Sequence, residues 1–309
     1  AGPARPREVK GGPASLSVLQ LFAACVAIWG TTWIAITYQL GSVAPEVSVL
    51  YRFVLASLLL FAWCRARGMP LAFTASQHAG MALQGLLMFS VSYIFTYYAE
   101  QTIVSGVVAV GYSASPLINL LLLRVLFGKP MSRRVALGGA LGLAGIVLVF
   151  WPEFARLEAG AGTRAGIFYA TAAVVISSFG SMAAHRNQRE AIPIWQTMAW
   201  GMLYGSVANL AIVLALGRPF AFEASASYAL SLVYLAVFGS ILAFGSYLHL
   251  LERVGAARAG YTGVIIPIVA LGVSSLFEGY RWSLLALAGV AVSVAGNILI
   301  LRRPPARAA

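Results

Sequence analysis

Ten apolar runs separated by short polar or basic connections divide the chain, at residues 18–38, 47–64, 79–98, 104–127, 135–151, 166–185, 197–216, 230–251, 256–277 and 284–301. Each approaches the roughly 20 helical residues needed to cross a hydrocarbon core of about 30 Å. The pattern predicts an all-α integral membrane protein with ten transmembrane helices. Ahead of the first run, residues 1–15 are rich in Pro, Gly and Arg and lack an apolar core, which reads as a disordered cytosolic tail. The connections are mostly under about 14 residues, too short for a soluble catalytic or nucleotide-binding domain.

The runs fall into five and five, at residues 16–151 and 165–303. Five crossings are an odd number, so the second set must enter the membrane from the opposite side, as in transporters built from inverted repeats. A shift of 151 residues supports the division. It places Pro116 on Pro267, Leu120 on Leu271, Gly128 on Gly279, Ser132 on Ser283, Gly138 on Gly289 and Gly145 on Gly296. Prolines and glycines dictate backbone geometry, so their coincidence says more than shared Leu or Ala would.

Charge gives the orientation independently. With a cytoplasmic N-terminus, 16 of the 21 Lys and Arg fall on inside segments, among them Arg65, Arg67, Arg124, Lys129, Arg133, Arg134, Arg186, Arg189, Arg253 and Arg258. Only Arg156, Arg164, Arg218 and Arg281 fall outside, and Arg52 lies within a span. That asymmetry predicts that the N and C termini are both cytoplasmic.

Composition narrows the chemistry. The chain is 60% hydrophobic and 10% charged, against roughly 25% charged residues in a soluble domain. Its net charge of +12 is distributed between spans as topology signals, which argues for a lipid bilayer and against nucleic acid as partner. Cys25 and Cys64 are two small residues in or beside apolar runs, and no Cys or His spacing resembles a metal-ligand set. Neither a phosphate-binding Gly-rich loop nor a catalytic cluster occurs, so no cofactor, ATP or enzymatic activity is expected.

Polar residues deep in a span usually face a cavity or another helix. Tyr93, Tyr97 and Gln101 repeat every four residues on one face of the third span. They either line an outward-opening cavity or, for Tyr97, belong to the interfacial aromatic belt. In the fourth span Pro116 removes an amide donor and frees a carbonyl near Tyr112, with Ser115 and Asn119 on the same face. The ninth span repeats this with Tyr261 and Pro267, which marks Pro116 and Pro267 as hinge or gating positions. Trp29 lies at the centre of the first span, where its indole either packs or meets a solute. Ser178 and Ser181 in the sixth span leave room for one. Arg52, about 8 Å into the second span at 1.5 Å per residue, either snorkels outward or pairs with a solute carboxylate, Glu46 or Glu278. His185 and His249 sit at expected cytoplasmic ends as interfacial residues.

These features resemble the ten-helix, EamA-type branch of the drug/metabolite transporter superfamily. The carriers are Trp29-Gly30, Tyr51-Arg52-Phe53, the Ser-Ala-Ser-Pro run ending at Pro116, Gly142 to Val147, and Phe277-Glu278-Gly279. The resemblance implies a solute exporter, and within the branch it is similar to bacterial aromatic-amino-acid exporters of the inner membrane. One departure stands out: members usually carry an acidic residue after both proline-bearing spans, but here Glu278 aligns with Phe127. Glu278 is accordingly read as structural.

The sequence reading is therefore an exporter of amino acids, working as a monomer by alternating access through a cavity lined by the first, third, fourth, sixth, eighth and ninth spans. With no Asp or Glu expected inside a span, transport is expected to be facilitated rather than proton-driven. A multidrug or nucleotide-sugar carrier on the same scaffold is the rival, and a membrane enzyme or assembly factor a remote one.

Overall fold

The computed structural model describes residues 16–128, 132–155, 161–259 and 261–301. The expected tail, residues 1–15, and several of the counted basic residues, such as Lys129 and Arg156, lie outside them. Every regular element among the described residues is a helix, and none is a strand. Eight helices are long and apolar enough to cross a membrane, and two shorter apolar helices follow.

In chain order these are α1 (Val18–Thr37), α2 (Pro45–Ala66), α3 (Ala75–Glu100), α4 (Ser105–Gly111 continued by Ser115–Phe127), α5 (Arg133–Ala155), α6 (Ala161–Arg189), α7 (Ile194–Ala215), α8 (Ala226–Tyr234 continued to Ala259), α9 (Thr262–Phe277) and α10 (Leu284–Leu301). Arg65, Arg67, Arg124, Arg186 and Arg189 gather at one end, called the basic end. Glu46, Glu100, Glu223 and Glu278 gather at the other, the acidic end.

Helix limits differ from the apolar runs where capping overrides hydropathy. Thr74 and Ser225 accept hydrogen bonds from the backbone amides of Gln77 and Tyr228, so α3 and α8 each begin one turn before their apolar runs. At its other end α3 continues to Glu100, two residues past its run. In the middle of both helices the backbone widens into a π-helical stretch, Leu87–Val91 in α3 and Leu235–Leu242 in α8. Such stretches leave carbonyls in need of partners. The Asn209 amide donates to the Phe89 carbonyl, and the Ser240 hydroxyl donates to that of Leu235.

The two prolines behave differently. Before Pro116, Tyr112–Ala114 forms a 3-10 turn in which the Ser115 amide donates to the Tyr112 carbonyl. The carbonyl expected to be free is thereby satisfied, and the break in α4 is real. Pro267 lies inside α9 without a break.

Helices α5 and α10 pack along their lengths, as do α2 and α7. Helix α1 packs against α8 and α9, α6 against α3 and α4, and α4 against α9. The α5–α10 crossing is close because glycines meet: a Cβ on Gly145 would stand 2.4 Å from the Ser293 amide nitrogen and 2.5 Å from the Gly289 carbonyl oxygen.

Candidate functional site

A cavity of about 280 Å³ lies among α1, α3, α4, α6, α7 and α8. Aromatic rings supply much of its wall. Trp29 meets Phe244 edge-on at 5.1 Å and Tyr247 at 5.6 Å, and Phe89 meets Phe244 at 5.9 Å. The Trp29 indole is held in place by donating to the Gly239 carbonyl in the π-helical stretch of α8 at 3.2 Å. The polar lining is Gln84, Asn119, Ser181, His185, Gln188 and Thr197, and among the described residues no Lys, Arg, Asp or Glu lines it. Ser181 returns its proton to the Ser177 carbonyl at 3.1 Å, leaving its oxygen as an acceptor. The Asn119 side-chain oxygen is buried without a donor.

The cavity reaches the basic end, where Gln188, Ile192, Ile194 and Leu248 also line a second space of about 390 Å³ with Trp195 and His249. The two spaces thus adjoin at that end. Helix α7 contributes to the cavity and α9 does not, unlike the six spans expected from the sequence.

The acidic end is closed by polar ties. The Tyr98 hydroxyl donates to Glu46, whose carboxylate also lies 3.5 Å from the Arg218 guanidinium. The amide and hydroxyl of Ser105 both donate to Glu278, and the Gly106 amide donates to Ser274 at 2.9 Å. Glu278 therefore caps α4 from the far end of α9, placing an anion where unpaired amides and the helix dipole favour one. Beyond the helices, hydrogen bonds from Ser42 and Ser225 hold the exposed Glu223 carboxyl below the usual carboxylate range.

Between the cavity and this closure lies Arg52, 1% exposed. It does not snorkel. Its Nε donates to Ser240 at 3.1 Å, and its guanidinium lies 4.5 Å from the centre of the Tyr93 ring and 5.2 Å from that of Phe53. Tyr93 is one helical turn from Phe89, so Arg52 stands just beyond the cavity's closed end. Among the described residues no carboxylate forms an ion pair with it, and Nη1 has no hydrogen-bond partner.

The structure thus brings Trp29, Asn119 and Ser181 to the cavity and places Tyr93 and Arg52 directly beyond it. Tyr97 is wholly buried and donates to Gln39 at 2.8 Å, so it belongs neither to an interfacial belt nor to the cavity wall. Tyr112 pairs with Thr96 at 2.8 Å, and Ser178 is turned to the Val174 carbonyl. Neither these two nor Ser115 and Tyr261 line the cavity. The polar stripe of α3 continues through Glu100, which is buried, rather than Gln101, which is exposed.

Two further findings correct the sequence reading. Glu46 is the second residue of α2 and Glu100 the last of α3, and both are buried, so spans do contain acidic residues. The apolar runs missed them because hydropathy ends a run at the first charge while the helix continues. Phe244 and Tyr247 were also missed. Phe244 stands 151 residues after Tyr93, the same shift that aligns the prolines, and that signal could have found it.

Comparison with known proteins agrees with this architecture. The model of the EamA-like transporter family matches twice, at residues 16–151 and 164–302. The "Uncharacterized inner membrane transporter YedA" of Escherichia coli K12 is 31% identical over 298 residues, covering 92% of this chain and 91% of that protein. The "Uncharacterized transporter YdfC" of Bacillus subtilis is 26% identical, covering 88% and 86%. A solved crystal structure has the same fold, with a TM-score of 0.68 at 18% identity over 91% of this chain and 95% of that one. The chain belongs to the EamA-like transporter family and is a multi-pass transporter of the bacterial inner membrane.

Proposed function

We propose that this transporter exports amino acids, aromatic and other neutral ones, from the cytoplasm by alternating access and without ATP. The observation that carries the reading is the central cavity: aromatic rings, uncharged polar groups and a volume of about 280 Å³. Drug-sized ligands occupy pockets of roughly 300–1,000 Å³, so this space suits a smaller solute. A nucleotide sugar would call for Arg or Lys opposite its phosphates, and among the described residues none lines the wall. Beyond the cavity, Arg52 offers an unpartnered N–H to an outgoing carboxylate.

The same reading takes the protein as two inverted halves with cytoplasmic termini, ten spans and a cavity complete within one chain. The helix packing supports it: exchanging each helix with the one five places along turns α1–α8 into α6–α3 and α1–α9 into α6–α4, all of which are contacts. Both α3 and α8 carry a π-helical stretch at mid-length. On this reading the basic end faces the cytoplasm and the cavity, which lies toward that end, receives the solute from inside.

Counterflow uptake of labelled phenylalanine, threonine and glutamate into proteoliposomes tests the proposal. Phenylalanine and threonine should enter and glutamate should not. Absence of uptake for all three would overturn the amino-acid reading in favour of a drug or other metabolite.

A further inference from the structure

Besides Glu223 on the connection between α7 and α8, three carboxyl groups lie at helix ends on the closed acidic side, and two of these three are supplied with donors. Glu46 has Tyr98 and Arg218, and Glu278 has the amide and hydroxyl of Ser105. The third, Glu100, is 7% exposed and neither of its oxygens meets a donor. It sits on the face of α3 that carries Tyr93 and Tyr97, at intervals of seven and three residues, so it lies on the path leading outward from the cavity. Leaving a carboxylate in a dry site with no hydrogen bond is far costlier than leaving a carboxylic acid there.

The groups around Glu100 define what it could bind. Arg52 on α2, Tyr97 on its own helix, Tyr112 on α4 and Glu278 at the end of α9 lie within electrostatic reach. Trp33 of α1 and Gln39 just past its end, neither of which titrates, meet Tyr112 and Tyr97, and Tyr169 of α6 is turned against Phe95 and Tyr98. Arg52 with an unpartnered N–H and Glu100 with two unpartnered oxygens present one positive and one acidic group along a single path. An α-amino acid carries the complementary carboxylate and ammonium.

We propose that Arg52 and Glu100 form an exit site for the zwitterionic head group of the solute, and that Glu100 holds a proton whenever the outer end is closed. This rests on the amino-acid reading above. As the outer end opens, the carboxylic acid gives its proton to external water, and the resulting carboxylate pairs with the solute ammonium while Arg52 takes the solute carboxylate. After the solute leaves, one proton from the same external water restores the acid before the end closes. The proton leaves and returns on the same side, so none crosses the membrane. The transport rate then follows the external pH, and a pH gradient supplies no driving force.

The test uses Glu100→Gln, an uncharged isostere, with two readouts. In a background with Cys25 and Cys64 replaced by Ala, Thr96→Cys reports opening of the outer end through an impermeant thiol reagent without any solute. With labelling corrected for the reagent's own pH dependence, reactivity should rise at alkaline external pH in the otherwise unmutated protein and stay flat with Glu100→Gln. In counterflow, Glu100→Gln should weaken external phenylalanine affinity about tenfold or more, the value of a lost hydrogen bond between charged groups. It should leave competition by 3-phenylpropionate, which lacks the ammonium, unchanged. Labelling with the same pH profile in both proteins overturns the proposal, whether or not amino acids are carried. Transport of phenylalanine with unaltered affinity in Glu100→Gln overturns the exit site and leaves the amino-acid reading standing. Failure of the unmutated protein to move any amino acid removes that reading and the exit site with it.

Discussion

Replacing Asn119 with Leu separates the cavity's role in binding from its role in stability. Asn119 lines the cavity on α4, and its Oδ1 is buried with no donor. An unsatisfied buried acceptor costs about 1–3 kcal/mol, and Leu, with the same branching at Cγ, removes it. The same oxygen is the acceptor available to a solute ammonium, and a hydrogen bond to a charged group is worth about 1.5–3 kcal/mol. That converts to a loss of roughly 13- to 150-fold in affinity. Asn119→Leu should therefore melt at a higher temperature than the unmutated protein in detergent while binding phenylalanine at least tenfold more weakly. Opposite signs are the signature, since a variant that merely misfolds loses both. Unchanged affinity, or a parallel fall in stability, refutes the assignment of Asn119 to the binding surface.

Other residues have outcomes as definite. Tyr93→Ala should cut transport sharply while insertion stays normal, because it removes the ring beneath the Arg52 guanidinium; a cation–π contact of this kind is worth about 0.5–2 kcal/mol, and Tyr93→Phe should retain most activity. Normal uptake rates in Tyr93→Ala would remove it from the path. Gly145→Leu drives a side chain into the α10 backbone, where only helix separation relieves contacts of 2.4 and 2.5 Å; overpacking costs about 1–3 kcal/mol, and a melting temperature equal to that of the unmutated protein would contradict the crossing. Tyr98→Phe deprives buried Glu46 of a donor and should raise external labelling of Thr96→Cys severalfold, whereas unchanged labelling would show that this tie does not hold the outer end.

The apolar runs were legible as helices because period and length act over whole helices. Limits were less so. Thr74 and Ser225 start α3 and α8 by capping, an effect of single hydroxyls that hydropathy averages away. The π-helical stretches in the same helices leave no mark in the residue pattern, yet they present the Gly239 and Phe89 carbonyls to Trp29 and Asn209. Among candidate residues, Trp29 was readable from its depth. Tyr97 was not, because its burial depends on Gln39 from another helix. Pro116 and Pro267 look equivalent in sequence, but only the first interrupts its helix. Glu100 was hidden by its position, one residue before an exposed Gln101 and at the edge of an apolar run.

The central claim, that the solute occupies the cavity among Trp29, Asn119 and Ser181, is tested most directly by protection. Ser181→Cys, in protein with Cys25 and Cys64 replaced by Ala, should react with a small thiol reagent added from the cytoplasmic side. Phenylalanine should slow that reaction with the same concentration dependence as it saturates counterflow, and glutamate should not. Labelling at an unchanged rate under saturating phenylalanine would place the solute elsewhere and contradict the account.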